Sequence, residues 1–115
     1  MDATSSEAIV VIITTGNRQE AMRLADLLVE RRLAACIQIL PEMLSVYRWQ
    51  GGVQRDPEHL LLIKTTRRCF EQLEREVRLI HSYETPEVIA LPVVAASAPY
   101  LAWLRENSGN AENAA

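Results

Sequence analysis

At 115 residues with two cysteines, the chain suits one domain that needs neither a disulfide nor a structural metal. Apolar residues make up 49%, charged residues 23%, and the net charge is −3. This excludes a basic nucleic-acid footprint, and the mixing of signs along the chain excludes a membrane-surface helix. Met1 to Glu7 lacks a basic leader region, and the apolar run Ile9 to Ile13 is too short for a signal-peptide core or a membrane span. A cytoplasmic, unanchored protein with reduced Cys36 and Cys69 is expected.

Residues 1–7 are expected to be disordered, residues 8–107 to form a single domain, and residues 108–115 to be a flexible tail. Ala8 to Thr15 is a β-branched apolar run that reads as a buried strand. Gly16 ends it, and Asn17 with Glu20 resembles a capping box. Ala21, Leu24, Ala25 and Leu28 share one face of a helix running from about Arg18 to Arg32. Ala34 to Leu40 is a second strand, broken at Pro41 and resumed over Leu44 to Gln50. Gly51-Gly52 is a hairpin signal. The return strand starts at Val53, is interrupted at Asp56-Pro57, and runs from His59 to Thr65. Each arm covers over a dozen residues, on the order of 40 Å at ~3.3 Å per residue, against ~17–20 Å for a common strand. Part of the hairpin must therefore overhang its own domain, where Val46, Tyr47 and Trp49 call for a partner chain; the alternative is that the hairpin curls back onto its own sheet.

Thr66 can cap a second helix, with Phe70, Leu73, Val77 and Ile80 buried and Glu71–Arg75 and Glu74–Arg78 paired on its exposed face. Val88 to Val94 is a last strand whose Pro92 points to an edge or a bulge. Ser97 or Ala98 begins a final helix with Pro99 in its first turn. Its Tyr100, Leu101, Trp103 and Leu104 need cover from the sheet or a neighbour. The order strand-helix-strand-strand-helix-strand predicts an α+β fold, the ferredoxin-like split βαβ (βαββαβ) arrangement, with an extended β-hairpin and a C-terminal helix.

Chemistry concentrates in one stretch, His81 to Glu87, at the end of the second helix. It holds an imidazole, a phenol and two carboxylates, and Thr85-Pro86 keeps the backbone extended. The plain alternative is that His81 serves the last helix carbonyls and that Glu84 and Glu87 are solvated. No phosphate-binding loop, dinucleotide fingerprint or zinc-finger spacing occurs. Cys36 lies in a strand, where a packed structural thiol is the leading reading; Cys69 reads as a packing residue, His59 as a surface strand residue and Lys64 as an edge charge. Cys36 with His81 would favour copper or another late transition metal. One chain offers too few such ligands for a closed site, so Glu84, water or another subunit would have to join.

Six motifs follow one another in a shared order: Ala35-Cys36, Tyr47-x-Trp49-x-Gly51, Lys64-Thr65, His81-x-Tyr83-Glu84-x-Pro86-Glu87, Leu91-Pro92 and Pro99-Tyr100-Leu101-x-Trp103. With them the chain resembles the CutA family of divalent-cation tolerance proteins from about Ile9 to Leu104. The resemblance implies a homotrimer whose hairpins clasp adjacent subunits, similar to the PII proteins. Tyr47, Trp49 and Trp103 would then lie in the trimer interface. It also implies a non-enzymatic role in tolerance to divalent metals, chiefly copper, with no obligatory cofactor. Cys36 and His81, joined by Glu84, become the candidate metal ligands. Lys64, Tyr83 and Glu87 would line an intersubunit cleft, and a PII-like sensor of a small anionic ligand there is the alternative. Ser82 stands where the family usually has proline, which implies a looser loop. Gln38 stands where asparagine is common.

Overall fold

The computed structural model describes residues 3–109. The elements are β1 (Ala8–Thr15), α1 (Arg18–Glu30), β2 (Cys36–Ile39), β3 (Met43–Trp49), β4 (Gly52–Thr66), α2 (Phe70–Ile80), β5 (Val88–Pro92) and α3 (Ala98–Glu106). This is a mixed α+β fold of three helices and one antiparallel sheet. Its strand order is β2-β4-β1-β5, with β3 also paired to β4.

β4 sets the geometry. Its inner part pairs with β1, from Thr15 with His59 to Ala8 with Thr66, and with β2 from Ile39 with Leu61 to Cys36 with Lys64. Its outer part, Gly52 to Glu58, pairs only with β3. β3 and outer β4 therefore form a two-stranded ribbon beyond the sheet, in a molecule measuring 46 × 26 × 25 Å. The expected interruption at Asp56-Pro57 does not occur, and the strand is continuous over 15 residues. Pro57 is tolerated opposite Leu44 because one edge of the ribbon has no partner strand. The turn is shifted by one residue from the expected Gly51-Gly52. Gln50 and Gly51 take the positive φ angles, 50° and 80°, and Gly52 already pairs with Trp49.

Alternation decides the layers. Ile9, Val11 and Ile13 of β1, with Leu61 and Ile63 of β4, face Ala21, Leu24 and Leu28 of α1 and Leu73 and Val77 of α2. Ile80 does not join them and is 39% exposed, because the chain turns at the helix end and buries His81 instead. The residues of opposite parity, among them Cys36, Lys64, Val10 and Leu91, occupy the second face. α3 covers one end of that face with Leu104, 2% exposed, while Ile89 and Leu91 remain 48% and 45% exposed.

Residues near both ends of the described chain pack onto the domain. Ala3–Ser6 forms a 3-10 turn, the Ser6 carbonyl accepts from Arg105, and the Glu7 carbonyl accepts from the Arg67 amide. Ser108 is fully buried and donates to the Leu104 carbonyl. Arg32, with φ 60°, ends α1 in the left-handed region, and its guanidinium donates to the carbonyls of Glu106 and Gly109. Of the expected disordered segment and flexible tail, residues 1–2 and 110–115 lie outside the described ones. Thr66 makes no cap bond; its hydroxyl faces Cys69 and Ser108.

Candidate functional site

The loop after α2 is held by three contacts, one buried and two part-buried. His81 leaves the helix in an extended conformation, with its side chain fully buried. Nε2 lies 2.8 Å from the Thr14 carbonyl, and Nδ1 is 3.0 Å from the Tyr83 amide. A carbonyl only accepts and an amide only donates, so Nε2 carries the proton and Nδ1 accepts. Glu20, 2% exposed, accepts from the Ser82 amide at 2.7 Å and the Ser82 hydroxyl at 2.9 Å. Half of the expected capping box is present, since Asn17 accepts from the Glu20 amide at 2.8 Å. The Glu20 carboxylate, however, is spent on Ser82. The loop is consequently tethered, which corrects the looser loop implied by Ser82.

Tyr83 is the third contact. Its ring packs 4.7 Å from that of His81, and its hydroxyl donates to Glu58 at 2.7 Å. Burial, then the Glu58 bond and charge, push the phenol far above its ordinary range. The hydroxyl passes so close to Gly16 that a Cβ there would meet it at 3.1 Å, which explains glycine at the end of β1. On the ribbon, Tyr47 donates to Asp56 at 2.6 Å, and that bond raises its phenol.

Between ribbon and loop lies a cleft of about 520 Å³. Val46, Tyr47, Trp49 and Glu58 line it from the ribbon, and Tyr83, Glu84 and Glu87 from the loop. Burial first, and the Glu58 charge second, raise the Glu87 carboxyl. The lining contains no arginine or lysine, so its field attracts cations.

The structure gathers only some of the expected residues here. Tyr83, Glu84, Glu87, Tyr47 and Trp49 meet in the cleft. Lys64 does not: it lies six positions beyond Glu58 along β4, roughly 20 Å at ~3.3 Å per residue, and its ammonium donates to Gln38. An anionic ligand would therefore find no cation in the cleft. Cys36 pairs in register with Lys64, and its neighbour is the Tyr100 hydroxyl, which it helps to keep protonated after burial. Thr14, the partner of His81, lies four positions along β1 from Val10, the residue opposite Lys64. Within one chain Cys36 and His81 are thus separated by more than ~13 Å. Among the described residues, no group of three or more His, Cys, Asp or Glu is placed to hold a metal ion. Trp103 stacks on Tyr100 at 5.5 Å and is 42% exposed, on α3 away from the cleft residues.

Glu58, Asp56, Glu20 and Ser82 were not foreseen as site residues. Only Glu20 carried a local signal, its place in the cap. Glu58 reaches the site through the register of β1 with β4, where Thr15 stands opposite His59 and Glu58 comes to lie by Gly16 and the Tyr83 hydroxyl, and no local pattern encodes that.

The family model for the CutA1 divalent ion tolerance protein matches residues 9–107. The chain is 49% identical over 100 residues to the divalent-cation tolerance protein CutA of Thermus thermophilus, covering 87% of this chain and 97% of that one. It is 46% identical over 103 residues to the chloroplastic CutA of Arabidopsis thaliana, covering 90% of this chain and 57% of that longer protein. The solved structure of the Thermus thermophilus divalent cation tolerance protein superposes with a TM-score of 0.87 at 48% identity, over 89% of this chain and 99% of that one. With the match spanning nearly the whole domain, the chain belongs to the CutA1 divalent ion tolerance family.

Proposed function

We propose that this protein is a non-enzymatic homotrimer that binds divalent metal, copper in particular, at the acidic cleft beside the His81 loop. The observation that carries this reading is the charge of the cleft: Glu58, Glu84 and Glu87 line it without a basic side chain. Glu84, exposed in the lining, is the proposed ligand there. His81 becomes available only when the Tyr83 amide releases Nδ1, and Cys36 only from another subunit. Two further features support the assembly. The ribbon overhangs the sheet with Tyr47 and Trp49 41% and 45% exposed, and the second sheet face is half bare. The strand order agrees with a ferredoxin-like chain of the kind PII-like trimers are built from. The two cysteines are free thiols, which suits the cytoplasm we propose for it, and no described helix is long and apolar enough to cross a membrane.

The test is equilibrium dialysis against copper between mildly acidic and neutral pH, with Glu84→Gln and His81→Ala beside the wild type. Binding should weaken with acidification and with loss of Glu84. Affinity indifferent to pH and to both substitutions would remove the cleft as the metal site.

A further inference from the structure

Arg68 stands on the turn from β4 into α2, at the end of β4 farthest from the ribbon. Its Nε and Nη2 are buried and have no hydrogen-bond partner among the described residues, although the residue as a whole is only half-buried. These two nitrogens form one edge of the guanidinium plane, and their N–H bonds point the same way. Buried donors without an acceptor are rare in folded chains and costly. What satisfies both donors of one edge is a pair of oxygens on one atom, as a carboxylate or a phosphate presents them.

Gly109 leaves room beside this edge. A Cβ there would stand 3.1 Å from Nε and 3.6 Å from Nη2, so an oxygen in that empty place lies at or near bonding distance of both donors. The same glycine brings up a second cation. Arg32 donates from Nε to the Gly109 carbonyl at 2.6 Å, which sets the two guanidiniums less than about 9 Å apart. Neither arginine has an ion-pair partner among the described residues. Glu106 meets Arg32 through its carbonyl, not its carboxylate. Two positive charges without a counter-charge favour a doubly charged anion over a singly charged one. Arg32 ends α1 and Arg68 precedes α2, so the place belongs to the helical side of the sheet, on the other side from the half-bare face.

We propose that Arg68 binds phosphate, two of its oxygens on Nε and Nη2, with the Arg32 charge adding to the attraction. Neither nitrogen is open to solvent, so phosphate enters as the turn at Gly109 gives way. The site is separate from the cleft beside the His81 loop and does not rest on the metal reading.

The experiment is a calorimetric titration of the full chain with inorganic phosphate at low salt, in a buffer free of other oxyanions. Phosphate should bind. Arg68→Gln should weaken binding by about tenfold or more, and so should Arg68→Lys, which keeps the charge and loses the two-donor edge. Arg75→Gln, the same charge change on the exposed side of α2, should leave binding unchanged. Should Arg68→Gln not fold, Arg68→Lys serves in its place. Absence of phosphate binding, binding retained by Arg68→Lys, or equal loss in Arg75→Gln overturns the proposal. Glu112, the first acid after Gly109 in the chain, is the other source of oxygens. Phosphate bound by Glu112→Gln but not by the wild type would assign the edge to the chain's own carboxylate and overturn the proposal as well.

Discussion

Ser82 is tied to Glu20 twice, through its amide at 2.7 Å and its hydroxyl at 2.9 Å. A proline at this position could make neither bond, so the tether here replaces ring stiffness with two hydrogen bonds to a buried carboxylate. Ser82→Ala should cost about 1 kcal/mol and Glu20→Ala about 2–3 kcal/mol, the second leaving the Ser82 donors without their acceptor. Urea unfolding at one fixed protein concentration reads both, since assembly adds concentration dependence. An unchanged midpoint for both variants would mean the tether contributes nothing in solution.

Alkaline stability should depend on Tyr83. Its phenol is raised far above the ordinary 10.0 by burial and by Glu58. A raised phenol means the folded state favours the protonated form. That stabilisation is complete below the unfolded value and is lost as pH rises beyond it. Melting temperature should therefore fall above about pH 10, and Tyr83→Phe should flatten that fall while lowering stability at neutral pH through loss of the Glu58 bond. Parallel alkaline profiles would show that Tyr83 is not the group responsible.

Glu87 works at the acid end. Its carboxyl is raised above 4.5 by burial and by Glu58, so ionisation disfavours the fold. The sign is the reverse of a salt-bridged acid: stability falls as pH rises from the unfolded value through the folded one. Glu87→Gln should raise the melting temperature at neutral pH, with the difference vanishing below about pH 4. A difference of the same size at every pH would point to packing instead of charge.

The ribbon predicts assembly. Sedimentation should give about three times the 13.0 kDa chain mass, and Trp49→Ala should weaken association on the order of 2–4 kcal/mol per site. A monomer at micromolar concentration would sink the assembly reading, and unchanged dissociation of Trp49→Ala would place Trp49 on its own subunit only.

Cys36 is half-buried against Tyr100. Cys36→Ser should alter stability more than copper affinity. Complete loss of copper binding with an unchanged melting temperature would make the thiol a direct ligand, supplied across subunits.

Much of the fold was legible in the chain itself, because its signals are local. β-branched runs marked β1 and β4, and helical periodicity marked Leu24, Leu28, Leu73 and Val77 as core, where the structure buries them. The family motifs identified the family for the same reason: they are strings of neighbouring residues. Register and face were not local. Only the pairing of β1 with β4, Thr15 with His59, sets Glu58 beside Gly16 and so under the Tyr83 hydroxyl, and only the docking of the α2 end on α1 brings Ser82 to Glu20. Those pairings also decided against one chain joining Cys36 to His81. Cys36 and Thr14, the carbonyl partner of His81, are held apart along one antiparallel ladder, and hydrogen bonding along its strands leaves no freedom to close that gap.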